Sequence, residues 1–227
     1  MDDLIVGCHP GQIAPDFQNC AIVNGECTIV EPSKFKGSPL IILFYPVDFG
    51  YISPSELLSL EHLKGDRNVI AISSGSLAVK YAWMAAPRAE RGLAGGISFP
   101  LVEDMTMEIS KKYGMIRSMS GYSYRGYVVV NSNGVIVARH MNDLPIGLGI
   151  EESLRVYDAA DAGSTGPDWL PGDQKLLSQF FTPDVFSHEV ESIRGRQTVT
   201  GSVISGRFSA SPVKTSTPIE GNSTPRN

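Results

Sequence analysis

The stretch from Leu43 to Glu56, LFYPVDFGYISPSE, does most to limit how the chain can fold. Ile41, Ile42, Leu43 and Phe44 make a continuous apolar run of the length of a buried strand. Ser53-Pro54-Ser55-Glu56 then carries a helix start, with proline at the first helical position and a Ser-x-x-Glu capping box. A strand therefore delivers a helix N-terminus. Unpaired N–H groups converge at such a terminus and the field there favours negative charge, so a side chain at position 53 stands where an anion or a thiolate is stabilised. Position 53 is a serine.

The flanking segments supply the rest of an α/β domain. After an extended lead-in over residues 1–18, Asn24-Gly25 predicts a two-residue hairpin over 19–31. In that register Cys27 faces Ile22 and Cys20 faces Ile29. The two thiols then share a face only diagonally and are expected beyond easy disulfide reach. Leucines 57, 58, 60 and 63 give the helix from Pro54 a buried side, and Gly65 stops it. Asn68 to Ser73 reads as a second buried strand, parallel to the first across a right-handed crossover. Ser76 to Ala85 predicts a helix in which Tyr81, Trp83 and Met84 fill the core. Phe99 to Val102 leads to Asp104, the expected N-cap of a helix ending at Tyr113-Gly114. Gly126 to Val130 and Val135 to His140 form a hairpin around Asn131–Gly134, and Ile150, Leu154 and Tyr157 mark one face of a last helix to about Ala160. The order βαβ, α, ββα is that of an α/β domain with a mixed sheet.

With 227 residues, 42% of them hydrophobic, the chain can build one good core plus an extension. The expected division is a domain over 1–163, a C-terminal arm over 164–193 and a disordered tail over 194–227. The arm holds a turn at Trp169–Gly172 and a short helix at Lys175–Phe181; the tail is rich in Ser, Thr and Gly, with Ser211-Pro212, Thr217-Pro218 and Thr224-Pro225 open to proline-directed kinases. The tail carries five basic residues against one acid, so of the net charge of −5 the remainder of the chain holds −9. Its basic residues are scattered, which argues against nucleic-acid binding. No apolar run reaches the roughly 18–20 residues of a membrane span, and Met1-Asp2-Asp3 lacks the positive start of a signal peptide, so a cytoplasmic protein without membrane attachment is expected. Pro87–Gly96 is glycine-rich but lacks the Gly-Lys-Ser/Thr ending of a phosphate loop. Three cysteines with no C-x-x-C and no clustered histidines support neither a metal site nor a disulfide framework, and no cofactor is expected.

Residues 44–56, FYPVDFGYISPSE, resemble the F-[FY]-P-L-D-F-T-F-V-C-P-T-E segment of the peroxiredoxins, the typical two-cysteine class of thiol-specific antioxidant proteins. The likeness runs over about residues 7–182. It includes Ala14-Pro15-Asp16-Phe17, the Asn-Gly hairpin, Ala82-Trp83, Pro87-Arg88, Phe99-Pro100-Leu101, Asp104, Tyr113-Gly114, Tyr124-Arg125-Gly126, Asn142-Asp143-Leu144-Pro145-Ile146-Gly147 and Trp169-Leu170-Pro171-Gly172-Asp173. It implies a thioredoxin-like fold with a mixed central sheet and an N-terminal hairpin.

The resemblance also implies a chemistry and shows where this chain departs from it. In the family a cysteine at the helix start is held as a thiolate, its pKa lowered from about 8.5 to roughly 3.5–7.5, and attacks a peroxide oxygen to become a sulfenic acid. The matching cation is Arg125, the glutamate orienting it is Glu56, and the proline shielding the pocket is Pro46. Ser53 takes the place of the peroxidatic cysteine, Gly50 that of the threonine that holds the peroxide, Gly166 that of the resolving cysteine, and Leu148 that of a second arginine. The expectation is a catalytically inactive member acting as a scaffold, chaperone-like or regulatory subunit, with Ser53 reduced to a helix cap. The alternative is a thiol-dependent peroxidase whose native cysteine is replaced by Ser53, or which has recruited Cys8, Cys20 or Cys27. Family members form dimers through sheet edges and rings of dimers around the active-site loop, where this chain has Phe49 and Tyr51. A homodimer or ring is therefore expected, with mixed assembly alongside an active peroxiredoxin as a further option.

Overall fold

The computed structural model describes residues 7–117 and 120–175, all within the unit spanning Met1–Ser178. Asn24 and Gly25 adopt positive φ, 49° and 82°, as a tight hairpin turn between twisted strands requires. They join β1 (Asn19–Val23) to β2 (Glu26–Val30) in the expected register, Cys20 opposite Ile29 and Ile22 opposite Cys27. The chain then continues through β3 (Leu40–Phe44), α1 (Ser53–Leu63), β4 (Val69–Ser73), α2 (Leu77–Ala85), β5 (Leu101–Glu103), α3 (Glu108–Lys112), β6 (Arg125–Val130), β7 (Ile136–Asn142) and α4 (Ile150–Ala159).

Seven strands form one mixed sheet in the order β2-β1-β5-β4-β3-β6-β7. β3 is parallel to β4, as the crossover through α1 requires, and antiparallel to β6. Every residue of β3, β4 and β6 is buried, the pattern of strands covered on both faces. Alternate residues of β3 feed two separate cores. Ile41 and Leu43 pack with Leu57, Leu60, Trp83, Ile150 and Leu154 on one face, while Ile42 and Phe44 pack with Phe17, Tyr113 and Met115 on the other. Leu57 and Leu60 are fully buried, and burial of each such side chain contributes about 1.5–3 kcal/mol. This anchors α1 against the sheet at the carboxyl end of β3.

Three local expectations are corrected. Tyr81 is 56% exposed instead of filling the core, because Lys80, Trp83 and Met84 share the buried face of α2 and Tyr81 points the other way. Leu63, at the end of α1, is also exposed. The helix after Asp104 starts later than expected: Met107, with φ 60°, precedes α3, and the Asp104 carboxylate reaches across to accept from the N–H groups of Ile109 (3.1 Å) and Ser110 (2.7 Å). Asp104 thus caps α3 from outside the usual cap position. In the arm, Trp169 is buried and the turn closes through Asp173, whose N–H donates to Leu170 O at 2.9 Å and whose carbonyl accepts from Trp169 Nε1 at 3.2 Å. The helix expected over Lys175–Phe181, apart from Lys175 itself, and the tail with its kinase motifs lie outside the described residues. Among the described residues no helix is long and apolar enough to cross a membrane.

Candidate functional site around Ser53

The pairing of β3 with β6 brings Arg125, 72 positions along the chain, beside the start of α1. Ser53 is the first residue of α1 and is completely buried; Ile52 occupies the cap position without a side-chain cap bond. The expected capping box does not close, and Ser53 is not a helix cap. Glu56 is turned away from the helix terminus: one oxygen accepts from Arg125 Nη1 at 2.6 Å and the other from the Leu148 N–H at 2.9 Å. Ser55 instead donates its hydroxyl to Ile52 O at 2.7 Å.

Arg125 is the hub. Its Nη1 also donates to Ser53 Oγ at 3.3 Å, and its Nε donates to Leu144 O at 2.7 Å. The Arg125 and Glu56 side chains are only 6% and 4% exposed. The rigid fork of a guanidinium suits this task, since it reaches three acceptors and stays charged when buried. Toward Ser53 it is a donor that cannot take the hydroxyl proton. The arrangement can therefore hold negative charge or an oxygen acceptor at the helix start, but Arg125 cannot serve Ser53 as a general base.

Among the other residues singled out by sequence, Gly50 faces this group. A Cβ there would stand 3.3 Å from Ser53 Oγ and 3.2 Å from Val47 Cγ2, a tight fit. Phe49 before it adopts φ 58°, an unfavourable region for a bulky residue, and its ring rests against Trp83 at 6.1 Å between centroids. Pro46 is buried at the end of β3, and Gly166 is half-buried in the irregular segment after α4. Leu148 is buried, and its contribution to the site is its backbone N–H. Tyr51 is 85% exposed under the guanidinium of Arg91, 4.4 Å from its ring centre, while Arg91 O accepts from Trp83 Nε1 at 2.7 Å.

A second polar cluster on the same loop escaped the sequence reading. Asp48 accepts from Tyr45 OH at 2.7 Å, from Ser73 Oγ at 3.2 Å and from Lys80 Nζ at 3.3 Å, and Lys80 also donates to Ser73 Oγ. The Lys80 and Asp48 side chains are 0% and 1% exposed. Burial pushes the Lys80 ammonium below its ordinary pKa while the charge of Asp48 opposes the shift; burial, followed by the charge of Asp48, pushes the Tyr45 phenol well up. A Cβ at position 75 would overlap Asp48 Oδ2, so glycine is required there. The signal for the cluster lay in α2, where Lys80 precedes Trp83 and Met84 by three and four residues on one face.

Comparisons with known proteins identify the family and the fold. Residues 10–139 match the profile of the AhpC/TSA family. The chain is 34% identical over 178 residues to peroxiredoxin-2 of Bos taurus, spanning 74% of this chain and 89% of that protein. It is also 34% identical over 185 residues to the mitochondrial thioredoxin-dependent peroxide reductase of Homo sapiens, spanning 78% and 69% respectively. Its fold is similar to the reduced 2-Cys peroxiredoxin of Plasmodium vivax, with a TM-score of 0.68 and 28% identity over 74% of this chain and 92% of that one. It is likewise similar to Enterococcus faecalis AhpC, with a TM-score of 0.61 and 30% identity over 66% and 90%.

Proposed function

Because the chain belongs to the AhpC/TSA family, the peroxiredoxins, we propose that its role follows from what Ser53 changes in a pocket that keeps Arg125 and Glu56: a peroxiredoxin-like subunit that performs no peroxidase chemistry at position 53 and acts as a scaffold, chaperone-like or regulatory partner. The observation that carries this reading is the buried Ser53 hydroxyl receiving a hydrogen bond from Arg125 at 3.3 Å. Peroxide cleavage in a thiol peroxidase requires a nucleophile that is ionised near neutral pH and then survives as a sulfenic acid. A serine hydroxyl offers neither property. The pocket retains Arg125 and Glu56, and the exposed Tyr51 beside the loop supports assembly, as a homodimer, a ring or a mixed oligomer with an active peroxiredoxin.

A second reading is favoured by the family match and by the names of the relatives, one of which is a peroxide reductase: a thiol-dependent peroxidase using a cysteine other than position 53. Cys8, Cys20 and Cys27 are all free thiols. One assay separates the two readings. Purified full chain is given hydrogen peroxide and a dithiol reductant, and consumption is followed for the unaltered protein, Ser53→Cys, and Ser53→Cys with Gly50→Thr. The unaltered chain is expected to show no turnover, the single variant to react slowly, and the double variant to react about tenfold faster, about 1.4 kcal/mol off the barrier. Equal rates for the two variants would show that position 50 does not limit the pocket. Turnover by the unaltered chain that disappears when one cysteine is changed would overturn the first reading in favour of the second.

A further inference from the structure

At the end of the sheet opposite Ser53 the surface folds into a cleft of about 500 Å³, its open mouth included. Its floor continues the second core. Leu40 and Val130, paired across β3 and β6, are buried there, and Ala14 and Phe35 are half-buried against the same core. The walls are fixed by main-chain hydrogen bonds. The lead-in runs beside the β6–β7 turn, with Ala14 N–H donating to Gly134 O and Ile136 N–H donating to Gln12 O, each at 2.9 Å, and Gly37 N–H donates to Ser132 O at 2.9 Å. Ile13, between the first two of these bonds, lines the cleft and is nonetheless 70% exposed. A fixed backbone thus presents an apolar side chain to water beside an apolar floor, the composition of a preformed small-molecule site.

Two side chains of opposite charge line the same cleft. Asp16 stands at the start of the 3₁₀ turn Pro32–Phe35, where one carboxylate oxygen accepts from the Ser33 N–H at 3.2 Å. Lys36 follows the other end of that turn, its stem laid against the β6–β7 turn with Cε 3.6 Å from where a Cβ on Gly134 would stand. Among the described residues neither Asp16 nor Lys36 is in an ion pair, whereas Lys34 is paired with Glu31 at 3.0 Å. With about 2 Å of rise per residue, the steps from Ser33 to Lys36 set the two charged positions roughly 6 Å apart along the wall. Charge-assisted contacts of about 2.7–2.9 Å at each end then suit a ligand whose own two charges lie a few ångströms apart.

We propose that this cleft binds a free, zwitterionic α-amino acid with an apolar side chain of the size of leucine. The ligand's ammonium pairs with Asp16, its carboxylate with Lys36, and its side chain covers Ile13 and rests on Phe35, Leu40 and Val130. Both signs are needed, because a plain carboxylate is repelled by Asp16 and a plain amine by Lys36. The apolar floor in turn rejects a polar or charged side chain, which would lose its water without gaining a partner. The cleft lies at the amino end of β3 and Ser53 beyond its carboxyl end, so the ligand site is independent of what position 53 does.

The test is equilibrium dialysis of the full chain against L-leucine, 4-methylpentanoate, which lacks the ammonium, and 3-methylbutylamine, which lacks the carboxylate, each quantified by mass spectrometry. Leucine is expected to bind at a single site, with each analogue weaker by about tenfold, the loss of one charge-assisted contact. Glutamate should not displace it. Asp16→Asn keeps an acceptor for the Ser33 N–H and Lys36 is exposed, so neither Asp16→Asn nor Lys36→Gln disturbs the fold. Asp16→Asn should weaken leucine by about tenfold without weakening 4-methylpentanoate, and Lys36→Gln should weaken leucine by a similar factor without weakening 3-methylbutylamine. No retention of leucine at millimolar concentration, an analogue that binds as tightly as leucine, or a leucine affinity unmoved by both substitutions would overturn the proposal. Each of these results would leave the peroxide assay on Ser53 unaffected.

Discussion

Two ion pairs are buried at the loop that joins β3 to α1, and they are built from different parts. Arg125 and Glu56 meet at the helix start, where the guanidinium divides its donors among Ser53, Glu56 and Leu144 and the carboxylate uses its second oxygen on the Leu148 N–H. Lys80 and Asp48 meet one side of the loop away, where the ammonium is surrounded by Tyr45, Ser73 and the carboxylate. The first pair is a fork with an acceptor at its open end. The second is a point charge spent wholly on holding the loop to β4 and α2. Burial depresses the lysine in the second pair, while a guanidinium stays charged at any pH a protein survives. The difference teaches that a buried charge near this site can serve either the pocket or the scaffold, and that the identity of the cation decides which.

The largest test of that contrast is Lys80→Met. Removing one partner leaves Asp48 ionised in a fully covered site, and the expected loss of stability is about 3–5 kcal/mol, read from denaturant midpoints. Adding Asp48→Asn should restore a large part of it. A Lys80→Met variant as stable as the parent would mean that the pair is not a structural clamp.

Glu56→Gln should cost less, about 1.5–3 kcal/mol, because the amide keeps an acceptor for Arg125 or for the Leu148 N–H but loses the charge-assisted bond. A greater loss than in Lys80→Met would reverse the ranking and make the pocket, rather than the clamp, the principal support of the loop.

The smallest effect is a pH dependence. With the Lys80 pKa lowered in the folded state and near 10.4 in the unfolded chain, the unfolded state binds more protons between those two values, so stability rises with pH across that window. The slope is at most about 1.4 kcal/mol per pH unit and should vanish in Lys80→Met. It is read as the difference between the parent and Lys80→Met, because Cys8 and Cys20, and at higher pH Tyr45, Tyr113 and Tyr127, titrate higher in the fold than in the unfolded chain and oppose it in both proteins. A parent slope no more positive than that of Lys80→Met would contradict the burial argument.

How much of this was legible in the sequence can be argued residue by residue. The buried run Leu40–Phe44, the Asn24-Gly25 turn and the β6–β7 hairpin were readable because period and turn chemistry are local. Ser53, Glu56 and Arg125 were readable through a family motif, and the fold brings them together. The capping box was misread because Ser-x-x-Glu is a local pattern, whereas Glu56 had a stronger partner in Arg125, 69 positions away. Lys80 was passed over because a lysine in a helix usually faces water; only the position of α2 against β4 and Asp48 shows that this one does not.

By itself, then, the sequence determined the strand-to-helix junction at Ser53, the absence of a thiol there, and membership of a fold that sets an arginine opposite it. Tertiary structure alone decided that Ser53 receives a hydrogen bond and caps nothing, and that a second buried ion pair braces the same loop. The physical reason is the same in each case. Covalent order and short-range periodicity specify which elements form, but the partner of a buried charge or a hydroxyl is whatever the packed sheet and its twist bring within a few ångströms.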